Sequence, residues 1–373
     1  MNIITCTENL RKFLIVLRLT LLLTKPQLDH FASLIVSAVQ GGFDGKLKNV
    51  PELSMRNIHR TSTGINSYQI YVLAQIRLQA RKTGLPIYVI LDDTIAEKTK
   101  PSSKAKKPTE GCGYHHSHLK KKLVYGHQIV CVLLECGGLR LPYYMDLYDK
   151  RKQSKISMVK NVIQTLPDLP GDVYVLGDSW YSASSVIYAA RARGFKYIGA
   201  LKANRVLYTV GGPRLGQKVK SYVKTLSSKD VRLVTVGKQR YSVHRFNGFM
   251  KKMPKDGVIL LSWPENKLFE EDALHIFFSL CNLPDEEILR IYTRWTIEIF
   301  FRDCKMQLEL DRYQVRGKQA MERFLLVMML VYAFCTGIAT DDSCTLGDSR
   351  KLARDEIKRD VVAWVHEQAC HGV

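Results

Sequence analysis

Hydrophobic and polar positions divide the chain into a helical beginning, a strand-rich middle and a helical end. Over residues 1–82 apolar side chains recur every three or four positions. The pattern is clearest in Leu28–Val39, which Gly41-Gly42 stops, and in Ser67–Arg81. The apolar run Phe13–Leu23 follows Arg11 and Lys12 in the manner of a secretion signal. It is too short to span a bilayer, Arg18 interrupts it, and no small-residue cleavage site follows. A buried N-terminal helix is therefore expected, and no other segment is expected to cross a membrane. After Pro86 the period changes. Ile87–Leu91 is a short β-branched strand ending in Asp92-Asp93-Thr94, and a lysine-rich loop follows. Gly126–Glu135 and Leu139–Leu147 read as two further strands joined through Gly137-Gly138 as a hairpin. Ser154–Leu166 is helical and closed by Pro167. Val173–Leu176 is a strand ending in Gly177-Asp178-Ser179, Ser182–Arg193 a helix stopped by Gly194, and Tyr197–Leu201 a fifth strand.

Three strands, a helix, a strand, a helix and a strand predict an α/β fold. Its sheet is mixed, with an antiparallel meander and helical crossovers. Residues 205–285 carry alternating strand candidates at Val231–Val236, Tyr241–Phe246 and Gly257–Trp263. Ile288–Lys305 then reads as one helix, followed by helices over Ala320–Ala339 and near Arg354–Glu367. The expected organisation is an N-terminal helical part (1–82), a catalytic core in two pieces (83–204 and 286–340), a β-rich insertion between them (205–285) and a C-terminal helical segment (341–373).

Charge narrows the classes of function. Lys and Arg number 56 against 35 Asp and Glu, a net charge of +21, and such a field favours polyanions, nucleic acid first and an acidic membrane surface second. The nine cysteines form no regular framework, which fits a reducing cytosol better than a disulfide-built secreted protein.

Chemistry enters with the helix at Ile288–Lys305. Projected at 100° per residue, Arg294, Glu298, Arg302 and Lys305 fall within about 40° of one direction, while most of the remaining circumference is apolar. Either these residues form a ladder of ion pairs on a half-exposed helix, or a buried acid is held for chemistry. Asp93 and Asp178 each follow a short buried strand, where α/β sheets usually place their sites. Two or three carboxylates of this kind can bind Mg²⁺ while leaving positions for phosphate oxygens, and two such ions stabilise an in-line displacement.

Together these residues resemble the DDE transposases of bacterial insertion sequences, in the group marked by a Tyr-x2-Arg-x3-Glu-x6-Lys signature. Arg294-x3-Glu298-x6-Lys305 matches it, as do Leu91-Asp-Asp-Thr94, Leu147-Tyr148, Leu176-Gly-Asp-Ser-Trp180 and Tyr313-Gln-Val-Arg316. The resemblance implies an RNase H-like core interrupted by a β-rich insertion, with Asp93, Asp178 and Glu298 as catalytic, metal-binding acids. Strand alternation lets only one of the adjacent Asp92 and Asp93 face the site, and the motif favours Asp93, the residue before Thr94. It also implies Mg²⁺, with Mn²⁺ able to substitute, and cleavage of element ends followed by transfer of the 3′ hydroxyl into target DNA. The partners implied are double-stranded DNA and a second protomer in the DNA complex, and the location the cytoplasm, with the nucleoid. One signature residue departs from the pattern: Ile291 stands where tyrosine is expected, and Tyr292 is rotated from that face by about 100°.

Arg294, Arg302 and Lys305 are candidate phosphate ligands beside these acids. The loop from Glu97 to Lys122 holds eight lysines against two acids, with Lys120, Lys121 and Lys122 placed to track a DNA backbone. Trp180 and Trp263 are candidates for stacking on an unpaired base, against core packing as the alternative. Cys112, His115, His116 and His118 lack the paired spacing of a zinc site. The rival functions are a Mg²⁺ nuclease without strand transfer and a transposase-derived DNA-binding protein without catalysis.

Overall fold

The computed structural model describes residues 8–41, 67–104, 109–117, 120–212, 215–293, 295–338 and 344–371. They form two compact units, the first from residues up to Thr83, Asp93–Asp149 and Glu298 onward, the second from Gly84–Asp92 and Lys150–Ile297.

The first unit begins with α1 (Glu8–Val16) and α2 (Leu19–Leu22). The single buried helix expected over Phe13–Leu23 is broken, because Arg18 takes a left-handed φ of 57°. Only one face of the pair is buried, through Leu10, Phe13, Leu14, Leu17 and Leu19, while Leu21 and Leu22 are exposed. Helices α3 (Lys25–Gln40), ended by left-handed Gly41, and α4 (Ser67–Thr83) follow the expected pattern.

Strand β1 (Ile87–Glu97) runs past the point where the sequence suggested an end. Its last residues belong to the first unit, with β2 (Gly113–Ser117), β3 (Lys122–Cys136) and β4 (Leu139–Leu147). β3 neighbours β1 and pairs antiparallel with β2 and β4. The β3–β4 connection is the Gly137-Gly138 turn, and its two positive φ angles, 53° and 87°, are what a tight hairpin of the twisted kind requires.

The second unit holds the opening residues of β1, then α5 (Lys155–Thr165), β5 (Val173–Gly177), α6 (Ser184–Ala192) and β6 (Lys196–Ala200). Ser154 caps α5 by accepting from the Ser157 N–H, and Gly194 follows α6 at φ 70°. The opening of β1, β5 and β6 pair in parallel. The 205–285 segment contributes β7 (Val206–Thr209), β8 (Gln217–Lys218), α7 (Val219–Val223), β9 (Arg232–Val236), β10 (Gln239–Phe246), β11 (Gly248–Met250), β12 (Val258–Pro264) and β13 (His275–Ser279). β13 pairs antiparallel with β6, and β12, β10 and β9 continue outward in that order. The insertion thus extends this sheet, while β7, β8 and β11 form a small sheet of their own.

Helix α8 (Asp285–Tyr292) closes the second unit. The fully buried Asp285 at its start is bridged by Arg232 (2.9 Å to Nε) and Arg245 (3.1 Å), so its charge is paired as burial demands. The first unit resumes with most of α9 (Ile297–Gln307), then α10 (Lys318–Ile338) and α11 (Leu346–His371). By length and composition α10 could cross a membrane, contrary to the sequence expectation. It is instead the core helix of its unit. Every residue from Phe324 to Cys335 is buried, with β4, α3 and α11 packed against it. Each large side chain so buried contributes about 2 kcal/mol. The meander β1–β3–β4 followed by α5–β5–α6–β6 is the connectivity of an RNase H-like core, as expected.

Candidate active site

Asp178 is set by the turn that leaves β5. Its Oδ1 accepts from the backbone N–H groups of Trp180 and Tyr181, both at 2.9 Å, and its carbonyl accepts from the Ser182 amide (3.0 Å) and hydroxyl (2.9 Å). The turn rests on Tyr197, whose hydroxyl meets Ser182 Oγ at 2.8 Å. Burial raises the phenol's pKa, so the ring stays neutral. Gly177, immediately before Asp178, makes room for it: a Cβ there would lie 2.7 Å from the Tyr197 hydroxyl. Trp180 beside Asp178 is 48% exposed, with Lys155 Nζ 4.7 Å and Lys202 Nζ 4.8 Å from its ring.

Asp93 lies inside β1 rather than at its end. Parallel pairing with β5 stops at Leu91↔Gly177, yet the strand continues beside β3. Within the first unit the Gln128 side-chain amide donates to Asp93 Oδ2. Sequence reasoning missed Gln128, although a glutamine in so apolar a strand was a signal of a buried polar contact.

Glu298 occupies the first turn of α9 and is exposed, so of the two alternatives for this face the buried acid does not hold. The continuous helix over Ile288–Lys305 is also corrected, since α8 ends at Tyr292 and α9 starts at Ile297. Thr293 donates through Oγ1 to the Arg290 carbonyl (2.7 Å), and Trp295 N–H reaches back to Tyr292 (3.1 Å), tightening the chain into a turn. Thr296, of a type favoured at helix starts, precedes the new helix, whose N-terminal field suits the Glu298 charge. Arg294 lies outside the described residues, so the angular relation expected between it and Glu298 no longer follows from a single helix. Tyr292 packs on Phe277 (4.8 Å between ring centres) and Trp295 (5.6 Å), and Ile291 is buried.

Arg302 is exposed, 3.8 Å from the Asp303 carboxylate. Lys305 is half-buried, and burial lowers its pKa against the opposing pull of Asp311. Lys121 and Lys122 are exposed, whereas Lys120 pairs with Glu97. Trp263 is fully buried and edge-on to Phe269, which corrects its assignment as a DNA contact: neither face is open to a base.

One lysine of the loop is structural. Lys98 donates to the carbonyls of Asp311 (2.7 Å) and Tyr313 (2.8 Å) and lies 3.5 Å over the Tyr313 ring. The Tyr313 hydroxyl bonds His127 Nδ1, and His127 Nε2 meets the Glu110 carbonyl at 2.7 Å. Cys112 Sγ is 3.5 Å from the same imidazole. This cluster ties the loop to the Tyr313-Gln-Val-Arg316 stretch. His118 lies outside the described residues. Among the described residues no three His, Cys, Asp or Glu stand together as a ready-made metal site.

Residues 84–334 match the family described as transposase DDE domain, and the chain belongs to that family. It is a DNA transposase, an enzyme that cleaves DNA and transfers strands. No curated protein matches it. Among solved structures it is similar to a piggyBac transposase in a synaptic complex with hairpin DNA. There the identity is 11% and the TM-score 0.44, over 92% of this chain and 73% of that one.

Proposed function

We propose that Asp93, Asp178 and Glu298 are the catalytic acids of a cut-and-paste transposase of the bacterial insertion-sequence type. What supports this reading is the match of residues 84–334 to the transposase DDE domain, together with an Asp178 held by backbone amides in the turn after β5 and an Asp93 held within β1. Carboxylates are hard oxygen donors, and the set suits Mg²⁺ or Mn²⁺. When bound, the ions would supply charge neutralisation for the phosphate oxygens of an in-line displacement. The chain's own work is positioning: backbone amides fix Asp178, Gln128 fixes Asp93 and the start of α9 presents Glu298.

Arg302, Lys305, Lys121 and Lys122 serve as phosphate contacts in this reading, together with Arg294, and Trp180 with its flanking lysines contacts the strand beside Asp178. Residues 1–82 recognise element ends, and two protomers act on the two ends, in the cytoplasm at the nucleoid. The test is incubation of labelled element ends with Mg²⁺, scoring nicking and joining separately. Asp93→Ala, Asp178→Ala and Glu298→Gln should each abolish both steps while binding stays intact or tightens slightly, since less negative charge faces the phosphates. A variant that cleaves at near-normal rate removes its residue from the set.

A further inference from the structure

Gln128 is the polar residue on β3 that touches a candidate catalytic acid. It is only 8% exposed, its side-chain amide donates to Asp93 Oδ2, and its backbone carbonyl accepts from the Tyr148 N–H at 2.8 Å. Burying an amide costs free energy unless it is hydrogen-bonded, and here the carboxylate of Asp93 is its partner. The contact depends on close approach of β3 to β1, which Gly126 makes possible. A Cβ at position 126 would lie 2.2 Å from the Ala96 carbonyl oxygen and 2.9 Å from Glu97 Cα, inside the neighbouring strand's backbone. Two residues further along β3 stands Gln128, and three residues back along β1 stands Asp93. The strand pair is therefore built to set an amide donor against this one carboxylate.

We propose that Gln128 is a positioning residue: by holding Oδ2 of Asp93 it fixes the rotamer in which that carboxylate meets a divalent cation. The proposal rests on Asp93 being a catalytic acid. An amide suits the task because it donates without adding charge, leaving the acid's negative charge undiminished for a cation. Partners of this kind change metal affinity or activity by roughly 10- to 100-fold when removed.

The experiment compares the full-length protein with Gln128→Met, which keeps the length of the side chain and loses the donor, and with Asp93→Asn. Mn²⁺ binding without DNA is followed by electron paramagnetic resonance, and cleavage of labelled ends is titrated with Mg²⁺. Unfolding midpoints are recorded alongside. Gln128→Met should weaken Mn²⁺ binding by on the order of tenfold and move the Mg²⁺ half-saturation point upward to match. Cleavage should recover substantially at high Mg²⁺, a split that a general loss of stability would not produce. Should Gln128→Met not fold, Gln128→Asn carries the same measurement, since its amide falls one methylene short. Unchanged Mn²⁺ affinity and Mg²⁺ half-saturation, beside a dead Asp93→Asn, would overturn the role of Gln128 while sparing that of Asp93. An active Asp93→Asn with normal Mn²⁺ binding would overturn both.

Discussion

Single residues carry two kinds of information here, and His127 shows the difference. It is 1% exposed, its Nε2 faces the Glu110 carbonyl as a donor, and in the neutral ring its Nδ1 accepts from the Tyr313 hydroxyl. Burial is the main reason its pKa lies below the ordinary 6.5. A depressed histidine contributes stability above its unfolded pKa and loses it as pH falls, because the unfolded chain takes up the proton first. The wild-type unfolding midpoint should therefore drop between pH 7.5 and 5.5, and drop less in His127→Gln. His275, whose pKa desolvation also lowers, leaves a residual fall. Equal falls in the two proteins would show that His127 titrates normally. Nothing local in the sequence marks this histidine's role, because its partners come from positions 110 and 313. Asp178 was legible, since a strand and a turn flank it locally. Gln128 was not, since its importance lies in which residue of another strand it meets. Trp263 illustrates the reverse problem: a tryptophan in an apolar run looks the same whether its face is open or covered.

At the scale of elements, legibility followed local chemistry. The Gly137-Gly138 hairpin, the Ser154 cap and the glycine stops after α3 and α6 are written in adjacent residues, and each stands where expected. Strands β2 and β13 were missed, as were the short β7, β8 and β11. β2 is a polar strand, Gly-Tyr-His-His-Ser, read as part of the lysine loop, and β13 is a five-residue run in the 205–285 insertion outside the three strand candidates named there. β1 overran its expected end because pairing with β3, a distant contact, outweighs the low strand propensity of two aspartates. α8 ends at Tyr292 and α9 starts at Ile297, a break that the apolar periodicity concealed. This break makes Tyr292 an aromatic packing residue at the end of α8. Tyr292→Phe should change single-turnover cleavage by less than about threefold, under the ~1 kcal/mol of one hydrogen bond. Tyr292→Ala should cost about 2 kcal/mol of stability in urea unfolding through lost contact with Phe277 and Trp295. If Phe slowed cleavage as much as Ala, the hydroxyl rather than the ring would be what matters.

For the molecule as a whole, charge is the property that most constrains behaviour. A net +21 chain meeting duplex DNA releases condensed counterions, and each phosphate neutralised contributes about −0.9 to the slope of log affinity against log salt. Several contacts acting together should give a slope on the order of −5, and a slope near zero would remove DNA as the partner of this charge. Not every lysine contributes. Lys98 is spent on the carbonyls of Asp311 and Tyr313, and Lys120 is paired with Glu97, a surface pair of small energetic weight that DNA could displace. Lys121 and Lys122 are exposed. Lys121 sits at a left-handed φ of 49°, so its substitution by glutamine keeps a side chain and tests charge alone. The double variant Lys121→Gln, Lys122→Gln should reduce the magnitude of the salt slope by about 2 and weaken binding equally for element ends and unrelated duplexes, as expected of phosphate contacts. A loss confined to element ends would instead assign the pair to base readout. Lys98→Gln should behave differently, lowering the unfolding midpoint while leaving the salt slope unchanged, because its charge is turned inward on the protein's own backbone.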